Sequence, residues 1–154
     1  MEIRMRPIGV VHSPYKKPED APPQGGETVS RIEIFEEFKE GLRDLEGFSH
    51  LHIIYWLHRS KGYSLLVRTP WDTRLHGVFA TRSPRRPNPI GYAVVELLAV
   101  EGKVLVVRGL DAIEGTPVLD VKPYFSGIDA KPHARAGWFE EIETREKGDR
   151  KRAP

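Results

Sequence analysis

A segment rich in proline and arginine constrains the fold of this chain more than any other. It runs from Gly77 to Gly91 as GVFATRSPRRPNPIG, with three prolines between residues 84 and 89. Proline fixes φ and lacks a backbone N–H, so the segment is neither the interior of a helix nor a central strand. Apolar runs lie on both sides of it, and the pattern therefore predicts a rigid loop between two strands.

The loop over residues 81–89, called the Pro loop below, carries Arg82, Arg85 and Arg86. Arginine binds phosphate or carboxylate groups in a bidentate manner, and a rigid loop loses little entropy on binding. The alternative is a solvated basic turn, because runs of charge usually face water. The density of prolines favours a preorganised anion-binding site.

Composition limits the class of protein. The 154 residues suit one domain, with 39% hydrophobic and 30% charged residues. Cysteine is absent, which excludes a disulfide scaffold, a thiolate nucleophile and a cysteine-ligated metal. The net charge of +2 does not by itself indicate nucleic-acid binding. The sequence has no apolar run of about 18 residues and no leader-like N-terminus, so we expect a cytoplasmic protein without a membrane span.

Short segments with strand-like patterns dominate the chain. Eight of them combine alternating, β-branched or aromatic residues with turn residues at their ends: Met5–His12, Ser30–Phe35, His50–His58, Tyr63–Arg68, Gly77–Ala80, Ile90–Val100, Lys103–Arg108 and Thr116–Val121. One short helix is predicted over Glu36–Leu45, and a tight turn at Glu101-Gly102. Helices do not alternate with strands, so we predict a mainly β fold, a single small antiparallel barrel with one or two short helices.

Two segments fall outside this regular pattern. Residues 13–29 form a long loop rich in proline and glycine, and such loops inside a compact domain are usually functional. The composition becomes charged and weakly patterned near the C-terminus. We therefore expect a barrel domain over residues 1–140 and a flexible charged tail over residues 141–154.

Three histidines on one predicted strand raise the question of a metal. His50 and His52 alternate and therefore share a face, and His58 has the same parity. A zinc site needs three or four ligands, and no residue in the sequence evidently completes the set. We predict no metal site; the histidines are then polar positions at strand ends, with one of them facing a ligand.

A polar cluster surrounds the turn at Gly115–Pro117. The segment Leu110–Tyr124 holds three carboxylates, a lysine and a tyrosine. Asp120 and Lys122 alternate onto one face of a short strand. One interpretation is a structural ion pair. The other is a functional pair, in which the carboxylate accepts a proton or faces a cation and the lysine binds phosphate.

Tyr92 and Tyr124 flank these polar motifs and are the aromatic residues best placed to stack on a base. The sequence contains no GxGxxG after a strand, no P-loop and no GxSxG elbow. The residues alone therefore predict a small β domain whose rigid loop binds an anionic ligand, with nucleic acid favoured. They do not name a reaction.

Four segments resemble one known family, the TsaA-like or TrmO family. They are Ile8–Tyr15, Leu45–Leu51, the two halves of the Pro loop region (Gly77–Ser83 and Arg86–Gly91) and Leu110–Tyr124, in the family's order. The resemblance implies a β-barrel methyltransferase unlike the Rossmann type, with S-adenosylmethionine as methyl donor. It also implies a homodimer with the donor site near the interface, and N6-methylation of N6-threonylcarbamoyladenosine at position 37, next to the tRNA anticodon.

The resemblance also implies roles for individual residues. The donor contacts, matched residue by residue, are Pro23, Gln24, His58, Arg59, Arg82, Tyr92, Leu110, Asp111, Ala112 and Ile113. The candidate catalytic residues are Asp111, Asp120 and Tyr124, and the candidate contacts to the anticodon loop are Arg85, Arg86, Asn88 and Lys122. We expect Arg82 to clamp the donor carboxylate, Tyr92 to face the sulfonium, and Asp111 or Asp120 to act as a base or an orienting group.

The chain departs from the family pattern at four points. Pro23 stands where arginine is usual, Arg59 replaces a glutamine, and Arg85 replaces an aromatic residue. The C-terminal extension of larger members is expected to be missing, and the additional arginines would then compensate by contacting phosphates. The alternatives are a donor-binding protein with a different methyl acceptor and a non-catalytic RNA-binding barrel.

Overall fold

The computed structural model of the protein describes residues 1–21 and 26–152, with side chains of the last helix described as far as Glu146. The described residues hold eight strands: β1 (Gly9–His12), β2 (Val29–Ile34), β3 (His50–Trp56), β4 (Leu66–Thr69), β5 (Asp72–Gly77), β6 (Ile90–Glu101), β7 (Val104–Arg108) and β8 (Pro117–Pro123). Six of them close a barrel in the order β1-β2-β7-β6-β3-β8, and β4 and β5 form a separate hairpin. Every pairing is antiparallel, which confirms the predicted fold class.

The core fills the inside of the barrel. Along β3 the inward residues Leu51, Ile53 and Tyr55 are buried, whereas His52 and Ile54 lie on the outer side with partial exposure. Each fully buried aliphatic side chain contributes about 1.5–3 kcal/mol relative to exposure. The period-two pattern that predicted this strand therefore also divides its residues between the core and the outer face.

Two glycines hold the barrel geometry. Gly102 has φ +64° in the two-residue turn between β6 and β7, which confirms the predicted hairpin. Gly91 on β6 lies opposite Tyr55, and a Cβ atom there would come within 2.2 Å of the Tyr55 ring carbon Cε2. The absence of a side chain at Gly91 is what lets the Tyr55 ring cross the barrel interior.

The predicted helix over Glu36–Leu45 is wrong in type and extent. The structure has two 3₁₀ helices, Glu36–Leu42 and Leu45–Gly47, separated where Asp44 adopts φ +71°. Leu42 and Leu45 are both buried and belong to the core cluster. Leu42 ends the first 3₁₀ helix and Leu45 begins the second, and Gly41 weakens a continuous α-helix.

The strand predicted at Gly77–Ala80 is also wrong. Residues Val78–Ala80 form a 3₁₀ turn, and Gly77 is the last residue of β5. β5 itself was not predicted, because most of its residues are polar and give no apolar alternation. Strand β1 is shorter than predicted and begins at Gly9. Strand β4 begins later than predicted, at Leu66.

The C-terminal segment is helical where a flexible tail was expected. A four-residue helix α1 spans Ser126–Asp129, and a long helix α2 spans Trp138–Arg152. The Trp138 indole N–H donates to the carbonyl of Ala80 at 2.8 Å and the ring stacks on His76 with centroids 4.1 Å apart. The start of α2 is thus fixed on the hairpin, whereas the domain boundary at residue 140 and the flexibility of the tail beyond it stay predictions.

An ion pair and aromatic contacts join α2 to the hairpin. Arg74 on β5 bonds to Glu141 at 3.0 Å, and Trp71 packs edge-on against Phe139. Within the residues that the structure describes, no helix is both long and apolar enough to cross a membrane.

Candidate functional site

The barrel wall separates the predicted site residues into two groups. The barrel-end group lies where β3 stops and consists of Arg82 and the loop 110–113, together with Tyr55. The outer-face group lies on the outside of β6, β3 and β8 and consists of Tyr92, Asp120, Lys122 and Tyr124, together with His52. Within one chain, the structure brings together the members of each group but not the two groups.

The centre of the barrel-end group is a short hydrogen bond between Tyr55 and Asp111. The phenol donates to the carboxylate at 2.5 Å. Burial raises the pKa of Asp111 and also raises the pKa of Tyr55 well above its ordinary range, where the Asp111 charge adds to the effect. The positive charge of Arg82 acts in the opposite direction on the pKa of both groups.

The arginines of the Pro loop have different surroundings. Arg86 Nη1 donates to the carbonyls of Thr81 and Ser83 at 2.8 and 3.2 Å, so this side chain braces the loop from inside. Arg82 is exposed and has no hydrogen bond or ion pair with the residues that the structure describes. Arg82 is therefore a charged group at the barrel end that remains available to an anion.

The segment after β3 holds the Pro loop in place. The Ser60 hydroxyl donates to the carbonyl of Pro84 at 2.8 Å, and the Ser64 N–H donates to the carbonyl of Arg85 at 3.2 Å. The Leu57 N–H donates to the carbonyl of Pro89 at 2.7 Å. These bonds support the predicted rigidity and leave the exposed Arg85 side chain on the surface.

The other predicted donor contacts lie beside the long loop or outside the described residues. His58 and Arg59 are exposed just after β3, and Arg59 donates to the carbonyl of Lys16 at 3.2 Å. Pro23 and Gln24 lie outside the described residues.

Hydrogen bonds fix both ends of the long loop to the segment that carries Asp111. The Tyr15 phenol bonds to the Thr28 hydroxyl, and the carbonyls of these two residues accept the N–H groups of Glu114 and Gly109 at 2.7 and 3.0 Å. The loop therefore starts and ends against the chain on either side of residues 110–113.

A charged anchor reinforces this junction. Glu114 bonds through one oxygen to His12 Nδ1 at 3.0 Å and accepts the Ser13 N–H through the other at 2.8 Å, while Glu33 lies 3.7 Å from His12 Nε2. The hydrogen bond to Glu114 raises the pKa of His12 above its ordinary 6.5, and the same bond lowers the pKa of Glu114 below 4.5.

These opposite shifts define the pH range of the anchor. The contribution of His12 is full below pH 6.5 and is lost as the pH rises through its raised pKa. The contribution of Glu114 is full above pH 4.5 and is lost as the pH falls through its lowered pKa. The anchor is therefore strongest between these two values.

The outer-face group is centred on His52. Its Nδ1 bonds to the Tyr92 hydroxyl at 2.8 Å and its Nε2 bonds to Asp129 at 2.9 Å. The rings of His52 and Tyr92 are stacked with centroids 5.7 Å apart, and the Tyr124 ring lies 5.4 Å away. The sequence suggested that one histidine faces a ligand but gave no signal for Asp129, which lies 77 residues further along the chain.

Asp120 and Lys122 share the outer face of β8, as the alternation predicted. Their charged groups lie 3.6 Å apart with both side chains more than half exposed, and Asp120 also accepts the N–H of Val121 at 2.9 Å. An exposed pair of this kind contributes about 0–1 kcal/mol. The predicted ion pair thus exists, and its small contribution to stability leaves both groups open to a second role.

No cluster of three or more histidine, aspartate or glutamate side chains among the described residues is arranged to hold a metal ion. The groups present include hydrogen-bond partners, the available Arg82 guanidinium and exposed aromatic rings. This set suits an organic ligand with an anionic end and a planar base.

Comparisons with known proteins identify the family. Residues 10–130 match the family described as tRNA-methyltransferase O N-terminal domain. The chain belongs to this family, and the resemblance seen in the sequence is confirmed. Relatives of the family carry names that refer to S-adenosylmethionine binding and to tRNA methylation.

Three relatives show the extent of the similarity. A "Probable S-adenosyl-L-methionine-binding protein" of Archaeoglobus fulgidus is 56% identical over 96% of this chain. A "tRNA (adenine(37)-N6)-methyltransferase" of Escherichia coli is 39% identical over 85% of this chain. The crystal structure of TrmO from Pseudomonas aeruginosa superposes with a TM-score of 0.77 at 32% identity, covering all of this chain and 77% of that one. The chain spans 41% of the Archaeoglobus relative and 61% of the Escherichia coli relative.

Proposed function

We propose that this protein is an S-adenosylmethionine-dependent tRNA methyltransferase that methylates N6 of N6-threonylcarbamoyladenosine at position 37. The observation that carries the proposal is the available Arg82 guanidinium at the barrel end, beside Asp111 and on a braced loop. Membership of the tRNA-methyltransferase O family supports it. A tRNA substrate also implies that the protein works in the cytoplasm.

The barrel-end group suits the methyl donor. Arg82 binds the donor's carboxylate in a bidentate manner, and the loop 110–113 offers backbone groups beside it. Asp111 is held by Tyr55 at 2.5 Å, and its remaining oxygen accepts a hydrogen bond from the donor or the acceptor base. Asp111 is thus an orienting group whose position is fixed before the ligand binds.

The reaction depends on positioning, because methyl transfer is an in-line displacement at the sulfonium carbon. The outer-face group contributes the Tyr92 ring toward the sulfonium cation and the Tyr124 ring toward the base. Asp120 orients the acceptor, and Lys122 holds the backbone of the anticodon loop.

The Pro loop supplies the other phosphate contacts. Arg85 and Asn88 are exposed on it, whereas Arg86 keeps two hydrogen bonds to the loop backbone and contributes its remaining N–H groups. These residues bind tRNA without reading its sequence.

A homodimer brings the two groups into one site. The outer face of β6 and the segment after β8 expose the apolar side chains of Tyr92, Val94, Leu98, Phe125 and Ile128. A second copy docked on this face covers these side chains and sets its barrel-end group against Tyr92 of the first chain. The donor then lies at the interface.

The test is methyl transfer from labelled S-adenosylmethionine to one tRNA in two forms, with and without the threonylcarbamoyl group. We expect transfer to the modified tRNA alone, because the base edge that Asp111 orients carries that group. Arg82→Ala is expected to weaken donor binding roughly tenfold to a hundredfold, the value of a charge-assisted hydrogen bond. Arg68→Ala, which removes an exposed arginine of β4, is the matched control. Unchanged donor affinity in Arg82→Ala contradicts the clamp.

A second candidate is a methyltransferase with a different acceptor. The Archaeoglobus fulgidus relative, with 56% identity, is named for S-adenosylmethionine binding and not for a methyl acceptor. Transfer to the unmodified tRNA, or to neither tRNA despite tight donor binding, favours this candidate over the first.

A further inference from the structure

Three side chains from separate elements form a hydrogen-bonded chain on the outer face. Asp129 of α1 bonds to Nε2 of His52 on β3, and Nδ1 of His52 bonds to the Tyr92 hydroxyl on β6, at 2.9 and 2.8 Å. The first two side chains are 27% and 15% exposed, whereas Tyr92 is 42% exposed. This series of hydrogen bonds thus runs from a partly covered carboxylate to a phenol at the surface.

The partners determine where the protons lie. Asp129 also accepts the N–H of Phe125 at 2.8 Å, and the hydrogen bond from His52 lowers its pKa, so it is ionised. An ionised carboxylate only accepts, so Nε2 of His52 carries its hydrogen. A neutral imidazole then accepts at Nδ1, and the Tyr92 hydroxyl donates to it.

The two carboxylates suggested by the sequence are less suited to take a proton from the acceptor base. Asp111 already accepts the Tyr55 phenol at 2.5 Å. The oxygens of Asp120 face the Lys122 ammonium at 3.6 Å and the Val121 N–H at 2.9 Å. Nδ1 of His52, in contrast, is an acceptor directed at the hydroxyl of the exposed Tyr92.

We propose that Tyr92 takes the proton from the methyl-accepting nitrogen while its own proton passes to Nδ1 of His52, which Asp129 orients. The inference rests on the proposed function. A nitrogen–carbon bond forms as the carbon–sulfur bond breaks, and sulfur keeps the electron pair as a neutral thioether. The N–H proton goes to the Tyr92 oxygen, and the resulting imidazolium later returns a proton to water. Tyr92 is the catalytic residue, and His52 and Asp129 are positioning residues that act through it.

Other charged and titratable groups face His52 from β8. Lys122 is its register partner, and the Tyr124 ring lies 5.4 Å away. Asp129 bonds directly to the imidazole, whereas the Lys122 ammonium faces Asp120 at 3.6 Å. Removal of Asp129 should therefore slow this proton relay, formed by Tyr92, His52 and Asp129, more than removal of Lys122 does.

The experiment measures single-turnover methyl transfer at saturating donor across pH in wild type, Tyr92→Phe, His52→Gln and Asp129→Asn. We expect Tyr92→Phe and His52→Gln each to lower the rate by roughly a hundredfold and to remove its rise with pH. The double variant Tyr92→Phe/His52→Gln should lose no more rate than either single variant, because the two residues act as a unit. Asp129→Glu should recover part of the rate that Asp129→Asn loses.

His50→Gln is the matched control, because His50 lies two residues away on the same face and its side chain bonds to Ser49 and not to Tyr92, His52 or Asp129. Its ring lies 6.1 Å from that of Tyr124, so its rate should fall far less than that of His52→Gln and should keep its rise with pH. Donor affinity, measured by calorimetry, should stay unchanged in every variant.

Several results would overturn the relay. The first is a wild-type rate of methyl transfer in Tyr92→Phe or His52→Gln. The second is a loss of rate that is the same at every pH and that follows the melting temperature of the variants. The third is weaker donor binding in a variant whose rate of transfer is intact. ¹⁵N NMR of the imidazole gives a readout independent of turnover, and a hydrogen on Nδ1 at neutral pH also contradicts the proposal. Absence of any transfer by wild type overturns the proposed function and the relay together, whereas an active wild type with unaffected variants overturns the relay alone.

Discussion

The barrel wall around β3 has a tyrosine–carboxylate system on each side, and the two are built differently. Inside, Tyr55 donates directly to Asp111. Outside, Tyr92 reaches Asp129 through the imidazole of His52. Burial raises the pKa of the inner carboxylate, whereas the hydrogen bond from the imidazole lowers the pKa of the outer one.

The difference shows how environment assigns roles to identical groups. Asp111 lies against the buried end of the core, where charge is unfavourable and a donor must be present. Asp129 is partly solvated and bonded to a backbone N–H, so it remains charged and orients its neighbour. The inner pair is therefore expected to contribute to stability and ligand orientation, and the outer chain to proton transfer.

The largest effect is expected from a substitution that disrupts the inner system alone. In Gly91→Ala the new Cβ would lie 2.2 Å from Cε2 of Tyr55, so the ring must move. We expect the free energy of unfolding to fall by about 3 kcal/mol, measured by urea denaturation. Gly77→Ala is the control, because no atom lies within 4 Å of its Cβ position. Equal stability of the two variants would show that the Tyr55 ring does not pack as described.

Removing each phenol compares the two sides directly. Tyr55→Phe leaves the buried side of Asp111 without its donor and should lower the free energy of unfolding by about 1–2 kcal/mol. Tyr92→Phe removes the donor to Nδ1 of His52 on the outer face, where water can replace the hydroxyl, and should lower it by less, about 0.5 kcal/mol. The same denaturation assay measures both, and equal costs would contradict the distinction between a buried and a solvated system.

The smallest expected effect concerns the pH dependence of stability, to which Asp111 and Asp129 should contribute with opposite signs. The pKa of Asp111 is raised above 3.8, so its folded state holds a proton more tightly and stability falls as the pH rises from 3.8 through the raised pKa. The pKa of Asp129 is lowered below 3.8, so its contribution is full above 3.8 and is lost as the pH falls through the lowered pKa.

Thermal unfolding between about pH 3 and pH 7 tests these signs. Relative to Asp111→Asn, wild type should lose stability with rising pH, and relative to Asp129→Asn it should gain stability. Slopes of the same sign in both comparisons would show that one of the two carboxylates lies in a different environment.

Local patterns predicted much of the fold. The alternation along β3 and the Gly102 turn follow from period two and from a positive φ, both of which are local properties. β5 escaped prediction because it is held by β4 and by α2, through contacts such as Arg74 with Glu141. A polar strand of this kind has no periodic signal of its own.

The candidate site was predicted only in part, because some of its contacts follow from local alternation and others from closure of the barrel. Asp120 and Lys122 share a face because alternation is local. Tyr55 meets Asp111 across 56 residues and His52 meets Asp129 across 77, and barrel closure produces both contacts. The resemblance supplied Tyr92 and Asp111 as single residues, but only the structure gives their partners.

Calorimetric titration of the purified protein with S-adenosylmethionine tests whether the barrel-end group binds the methyl donor. We expect micromolar-range binding with about one donor molecule per chain, a free energy of about −8 kcal/mol. Absence of binding under conditions in which the protein is folded would contradict it, because Arg82 and the loop 110–113 would then not form a donor site.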